Sequence, residues 1–141
     1  MTECEAALKL TQLPTSISSD NTKAAVHALC GLAQIGLNQR EAGTKSCQTA
    51  LELSEKEDWA YWCLGEALVL QTEQAVKHYE AAVNVKPDNA FYHYKWGQAL
   101  AQLKQYDAAI TQFEKAVELD KDGEIGKQAQ AEIEALKDES L

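Results

Sequence analysis

Residues 90–123, AFYHYKWGQALAQLKQYDAAITQFEKAVELDKDG, decide the expected fold of this chain. The first half of the stretch places a tryptophan directly before a glycine, at Trp96 and Gly97, and the second half carries Ala109 and Phe113 four residues apart. Residues three or four apart lie on one face of an α-helix, where small and aromatic side chains pack against a neighbour. The stretch therefore predicts two helices that pack against each other.

The same pattern occurs twice more, earlier in the chain. Gly31, Gly65 and Gly97 each follow a large or apolar residue and are spaced 34 and 32 residues apart. The second half of each unit has three small, aromatic or cysteine positions in equivalent places. These are Gly43, Cys47 and Ala50, then Ala75, Tyr79 and Ala82, then Ala109, Phe113 and Ala116. A period near 34 residues is typical of stacked helix pairs that bury one continuous core.

In these positions the chain resembles the tetratricopeptide repeat (TPR) family, most closely in its last unit, and the resemblance covers about residues 24–123. It implies an all-α fold in which antiparallel helix hairpins stack in a right-handed superhelix. The unit in the middle is two residues shorter between its helices than the last one. Within a single domain, 1–141, the expected segments are an N-terminal helix at 2–13, repeat 1 at 24–57, repeat 2 at 58–89, repeat 3 at 90–123 and a C-terminal capping helix at 124–137.

Polar residues near the expected helix ends refine these segments. Asp20 or Asn21 is expected to cap the first helix of repeat 1, and Asn38 is expected to end it. Asp88, which follows Pro87 in a turn, is expected to cap the first helix of repeat 3.

The composition limits the class of function. The chain has 22 acidic and 13 basic residues, a formal net charge of −9, with only 7 glycines and 2 prolines. An acidic surface repels phosphate backbones and anionic lipids, so nucleic-acid binding is not expected. No stretch approaches the roughly 18 apolar residues of a membrane-spanning helix, so membrane insertion is not expected either. A protein partner with a basic or apolar segment is compatible with this charge.

The cysteines indicate the redox state of the compartment in which the protein is expected. Cys4, Cys30, Cys47 and Cys63 lie among apolar residues of helical patterns, and none forms a C-x-x-C pair. This arrangement is typical of reduced, buried thiols. Since acidic residues stand near the N-terminus in place of a long apolar run, no signal peptide is expected, and the sequence predicts a cytoplasmic protein.

No residue pattern predicts catalysis. His27 and Cys30 lie three residues apart on one expected helix, but structural zinc requires four ligands and no second pair of suitable spacing follows. Phosphate-binding glycine loops, G-x-S-x-G and H-E-x-x-H are not found in the sequence. We therefore expect no catalytic residues, no cofactor and no metal, and we expect that the protein is not an enzyme.

The resemblance implies a binding site. In TPR proteins the first helices of successive repeats line a concave groove that holds a ligand, and rigid aromatic side chains in such grooves often dominate the binding energy. Alignment assigns this groove to nine residues: Leu32, Ile35, Trp59, Trp62, Glu66, Val69, Phe91, Tyr94 and Gln98. The expected ligand is a partly apolar helix or an extended peptide of a partner protein. Its expected anchors are Trp59, Trp62, Phe91 and Tyr94, with Glu66 and Gln98 orienting its polar or basic groups. The expected function is that of a non-catalytic adaptor or assembly scaffold.

Three alternatives stand beside this hypothesis. Trp59 and Trp62 could pack between repeats without contacting a ligand, since buried tryptophan is common. The N-terminal helix could fold back across the groove. The array could also serve self-association, as a monomer that forms a weak homo-oligomer. One well-known TPR subfamily binds acidic chaperone C-termini with basic and Asn side chains. This chain has Ala28, Leu32, Glu66 and Phe91 at the corresponding positions, and only Lys95 offers a matching type of charge, so such a ligand is not expected.

Overall fold

The computed structural model describes residues 3–11, 19–69 and 72–139. All regular secondary structure in these ranges is helical, so the expected all-α class is confirmed. The helices are α1 (Glu3–Thr11), α2 (Asp20–Gly36), α3 (Arg40–Leu53), α4 (Asp58–Ala67), α5 (Thr72–Val85), α6 (Ala90–Gln102), α7 (Tyr106–Leu119) and α8 (Glu124–Glu139). Residues 2, 12 and 13 of the expected N-terminal helix lie outside the described residues.

Two helices begin with caps other than those predicted. Ser19 caps α2, because its Oγ accepts a hydrogen bond from the N–H of Thr22 at 3.2 Å, so the predicted cap at position 20 or 21 is wrong. Asn89 caps α6 in place of position 88, and its Oδ1 accepts from the N–H of Phe91 at 3.0 Å. In both cases the capping residue has extended backbone and precedes the helix, which lets its side chain reach the unpaired N–H groups of the first turn.

The chain divides into two compact units, residues 1–68 and 69–141. In the first unit α2 and α3 form a helix hairpin, α4 packs on both of them, and α1 packs on α2. In the second unit α6 and α7 form a hairpin, α8 packs on both of them, and α5 packs on α6. The two helices assigned to repeat 2, α4 and α5, therefore belong to different units.

Glycine allows close helix packing in both units. A Cβ added at Gly31 in α2 would meet Cys47 Sγ and would lie 2.8 Å from the carbonyl oxygen of Gly43 in α3. A Cβ at Gly97 in α6 would lie 2.7 Å from the ring of Phe113 in α7. Both distances are shorter than a non-bonded contact allows, so the small residues expected from the repeat pattern are required where the helices approach.

Each unit has its own core. In the first unit an alanine cluster consists of Ala24, Ala28, Ala50 and Ala60, and a cysteine cluster consists of Cys47, Cys63 and Leu64. In the second unit the core consists of Leu100, Ala109, Phe113, Ala116, Ala129, Ile133 and Leu136. The last three of these belong to α8, which packs its apolar stripe on α7 and leaves its charged residues outside.

The cysteines form two disulfides, both in the first unit. Cys4 pairs with Cys30 and joins α1 to α2, while Cys47 pairs with Cys63 and joins α3 to α4. No cysteine in the described parts of the chain is free. The prediction of four reduced thiols is therefore wrong, because spacing along the sequence does not reveal which cysteines meet across neighbouring helices.

Among the helices that the structure describes, none combines the length and apolar character that crossing a bilayer requires.

Candidate functional site

Five of the nine predicted site residues lie in the first unit, on α2 and α4. We call Leu32, Ile35, Trp59, Trp62 and Glu66 the first-unit patch. Leu32 and Ile35 are half-buried and pack against the cysteine cluster, and Trp59 is half-buried against the alanine cluster. These three side chains therefore support the core of the unit.

Trp62 and Glu66 form a hydrogen-bonded pair one turn apart on α4. The indole Nε1–H of Trp62 donates to Oε1 of Glu66 at 3.1 Å, and both side chains are half-buried. The bond fixes the orientation of the ring and satisfies its only donor. The pair thus presents a rigid aromatic surface with a negative charge beside it.

The other four predicted residues lie in the second unit. We call Val69, Phe91, Tyr94 and Gln98 the second-unit patch, and all four side chains are half-buried. The amide Nε2–H of Gln98 donates to the hydroxyl oxygen of Tyr94 at 2.9 Å. The ring of Tyr94 also packs on that of buried Phe113, with 5.8 Å between the ring centroids. Contacts on two sides therefore hold Tyr94 in place.

The hydroxyl of Tyr94 stays protonated near neutral pH. Burial raises its pKa above the ordinary value of 10.0, the carboxylate of Glu132 on α8 raises it further, and the hydrogen bond from Gln98 partly opposes both effects. Because the hydroxyl accepts from Gln98, its own hydrogen is available in this bond pattern as a donor to an acceptor group nearby.

Lys95 lies beside the second-unit patch and is not among the nine predicted residues. Its Nζ lies 5.6 Å from the centroid of the Phe91 ring, a cation–π distance. Lys95 also lines, with Val69 and Gln98, a cavity of about 40 Å³ between α5 and α6. Its position four residues after Phe91 on the same helix was the signal that could have identified it.

The two patches repeat one arrangement. Trp62 and Tyr94 are 32 residues apart, as are Glu66 and Gln98, and this is also the spacing of the neighbouring glycines at 65 and 97. In each unit an aromatic side chain is hydrogen-bonded to a polar side chain four residues later. The polar member is a carboxylate in the first unit and a neutral amide in the second, so the two patches differ in charge but not in register.

Other concave surfaces do not coincide with the predicted residues. One of them, of about 1090 Å³, surrounds the start of α3 and contains none of the nine. It is lined by Asn38, Gln39, Arg40, Glu41, Ala42, Thr44, Lys45 and Gln48. Side chains that could together hold a metal ion do not occur in groups of three or more within the described parts of the molecule.

Comparison with protein families identifies the repeats. A model described as a tetratricopeptide repeat matches residues 90–122, and a second, described as a TPR repeat, matches residues 71–104. The first match coincides with the segment expected as repeat 3. A comparison with curated proteins gives no match.

Solved structures share the fold. A T3SS complex from Aeromonas hydrophila is 20% identical with a TM-score of 0.79, covering 96% of this chain and 95% of that one. The first TPR of Spaghetti (RPAP3), bound to the HSP90 peptide SRMEEVD, is 15% identical with a TM-score of 0.77, covering 86% and 96%. PcrH, in complex with the chaperone binding region of PopD, is 18% identical with a TM-score of 0.74, covering 82% and 91%. At these identities the similarity establishes the fold alone.

Proposed function

Because the chain belongs to the tetratricopeptide repeat family, we propose that it is a non-catalytic adaptor or assembly scaffold that binds a partner helix or extended peptide in a concave groove. The observation that carries this proposal is the repeated hydrogen-bonded pair of Trp62 with Glu66 and of Tyr94 with Gln98. TPR domains in general mediate protein interactions, and in this proposal the two pairs are the residues with which this chain contacts its partner.

The aromatic members of the pairs are the anchors of the proposed site. A side chain that is already fixed by a hydrogen bond loses little conformational entropy when a partner covers it, so more of the contact energy contributes to affinity. Aromatic anchors of this kind typically cost about 2 kcal/mol or more each when truncated to alanine. Trp62 and Tyr94 each have this hydrogen bond. Trp59 and Tyr94 also pack against the cores of their units, so Trp62 meets the description best.

The polar members define the kind of partner. Glu66 places a negative charge beside the Trp62 ring in a chain whose formal net charge is −9, which favours a basic group on the ligand next to an apolar one. Gln98 and the hydroxyl of Tyr94 provide neutral donors and acceptors in the second-unit patch. We therefore expect an apolar segment with a Lys or Arg near the residue that contacts Trp62.

Proteins of the same fold support the class of function. The Spaghetti domain was solved with an HSP90 peptide, and PcrH was solved with a segment of PopD. The peptide SRMEEVD is acidic near its end, whereas this chain offers Glu66 and Phe91 where the chaperone-binding subfamily has basic or Asn side chains. The proposed partner of this chain is accordingly not an acidic chaperone C-terminus.

Enzymatic activity is not part of the proposal, since the TPR fold generally serves protein interaction. No cofactor is assigned. Location in the cytoplasm stays a prediction of the sequence, and the two disulfides do not favour it, because stable disulfides are rare in reducing compartments.

Self-association is a second candidate function, favoured by one observation. Leu29 on α2 and Leu37 just after it are large apolar side chains that are 49% and 72% exposed. A second copy of the chain would bury them. Light scattering at two concentrations tests this candidate, and a strict monomer at high concentration excludes it.

The test of the main proposal compares matched variants. Proteins captured from native lysate by the intact chain are identified, and the affinity of the principal one is then measured by titration. Replacing Trp62 and Tyr94 together by alanine should weaken binding by more than about 30-fold while helicity is unchanged. Tyr61→Ala, which removes a half-buried ring from α4 outside the patch, is the control and should bind normally. Equal affinities for all three proteins would locate the binding site elsewhere.

A further inference from the structure

The two disulfides differ in the environment of their cysteines. The Cα atoms of Cys4 and Cys30 are 5.4 Å apart and those of Cys47 and Cys63 are 6.1 Å apart, both within the range of about 4.4–6.8 Å that disulfides require. Cys47 and Cys63 are 0% exposed and Cys30 is 3% exposed, whereas Cys4 is half-buried. Only the first pair therefore has a sulfur-bearing residue that solvent reaches.

The Cys47–Cys63 pair lies at the junction of three helices. A Cβ added at Gly31 in α2 would meet Cys47 Sγ and would lie 2.8 Å from Cys63 Sγ, so the glycine provides the space for both sulfur atoms. The pair also belongs to the core cluster that contains Leu64. A thiol in solution has no path to these atoms unless the unit opens.

The Cys4–Cys30 pair holds a peripheral helix. In the first unit α1 packs mainly on α2. The covalent bond to Cys30 therefore lies within the contact that attaches α1 to the unit.

We propose that the Cys4–Cys30 disulfide is a reversible bond that docks α1 on α2 under oxidising conditions and releases it under reducing conditions, while the Cys47–Cys63 disulfide stays closed. The exposed end of the first pair makes it the one that exchanges with thiols. Release of α1 uncovers Cys30 and the surface of α2 around it, beside exposed Leu29.

The chemistry is thiol–disulfide exchange with a small thiol such as glutathione. A glutathione thiolate attacks Cys4 Sγ, the bond to Cys30 breaks, a mixed disulfide forms on Cys4, and Cys30 leaves as a thiolate that takes up a proton. A second glutathione thiolate attacks the glutathione sulfur of the mixed disulfide and releases the Cys4 thiol with glutathione disulfide. Two electrons pass from two thiols to the protein, and glutathione disulfide closes the bond by the reverse steps.

The test follows both bonds in the full chain. After oxidation by glutathione disulfide, the protein is treated with reduced glutathione, quenched by alkylation at intervals and analysed by peptide mass spectrometry. Cys4 and Cys30 should become alkylated at least about tenfold faster than Cys47 and Cys63. Amide hydrogen exchange in residues 3–11 should increase at least about tenfold on reduction, with residues 40–67 unchanged.

Two variants separate release of the helix from general loosening. Cys4→Ser should show the fast exchange of residues 3–11 even in oxidising buffer, whereas Ala6→Ser, which adds the same hydroxyl to an exposed position of α1, should behave as the parent. The proposal is overturned if the two disulfides open at equal rates, if no disulfide forms with glutathione disulfide, or if Cys4→Ser leaves the exchange of α1 unchanged.

Discussion

The guanidinium of Arg40, at the first residue of α3, donates a hydrogen bond to the main-chain carbonyl oxygen of Glu66 at the end of α4, with 3.3 Å between Nη1 and that oxygen. The same nitrogen lies 3.3 Å from the carbonyl oxygen of Ala67. The last carbonyl groups of a helix have no partner within it, and a cation there also complements the helix dipole. Arg40 therefore stabilises the turn of α4 that carries Glu66 of the first-unit patch.

Replacing Arg40 by alanine should lower the free energy of unfolding by about 1–2 kcal/mol, because two carbonyl groups lose a charged donor. Urea denaturation followed by circular dichroism measures the change. Lys45→Ala, which removes an exposed cation from the same helix, should change stability by less than about 0.5 kcal/mol. If both substitutions changed the free energy of unfolding equally, the change would come from the net charge and not from the hydrogen bonds of Arg40.

Replacing Gly97 by alanine should destabilise the second unit by about 1–3 kcal/mol, because the new Cβ would lie 2.7 Å from the ring of Phe113 and would force α6 and α7 apart. Gly36→Ala is the matched control, since a Cβ there has no neighbour within 4 Å. Thermal unfolding of both variants tests the difference. A Gly97→Ala variant as stable as the parent would contradict the close approach of the two helices.

Lys104 adopts a left-handed backbone conformation, with φ of 60°, directly after α6 and its C-cap. Glycine enters this conformation without the steric cost that a Cβ imposes, so Lys104→Gly should raise the free energy of unfolding by about 1 kcal/mol. Asn38, with φ of 65° after α2, occupies the equivalent place in the first unit. Because asparagine tolerates this conformation, Asn38→Gly should stabilise less, and urea midpoints of the two variants allow the comparison.

Stability should fall as the pH is lowered through the titration range of histidine. Burial lowers the pKa of His78 in α5, and likewise that of His27 in α2, below the ordinary value of 6.5. At pH values between the folded and the unfolded pKa of these histidines, the unfolded chain binds more protons than the folded chain. The stabilisation that the neutral histidines provide above about pH 6.5 is therefore lost as the pH falls toward their folded pKa. Unfolding free energies measured from pH 7.5 to 5 test this, and replacing both histidines by glutamine should reduce the slope.

Helix content and the positions of close approach could be predicted because they are repeated locally. In the sequence, glycines and alanines recur at a helical period, with alanines four residues before and three residues after an aromatic residue. Gly31 and Gly97 have the close packing that this pattern predicts. Helix caps were less predictable, since Ser19 and Asn89 compete with equally suitable neighbours one residue away. The pairs Trp62 with Glu66 and Tyr94 with Gln98 each lie within one helix turn, so their spacing was visible, although their hydrogen bonds were not.

By itself the sequence determined that this protein is built of paired helices with a repeat near 34 residues, since those features depend on side chains a few positions apart. Only the tertiary structure decided that Cys4 meets Cys30, that Arg40 reaches Glu66 and that Trp59 packs against a core. Cys4 and Cys30 are 26 residues apart along the chain, and so are Arg40 and Glu66. Their contacts depend on how whole helices cross and rotate against each other, which no local pattern specifies.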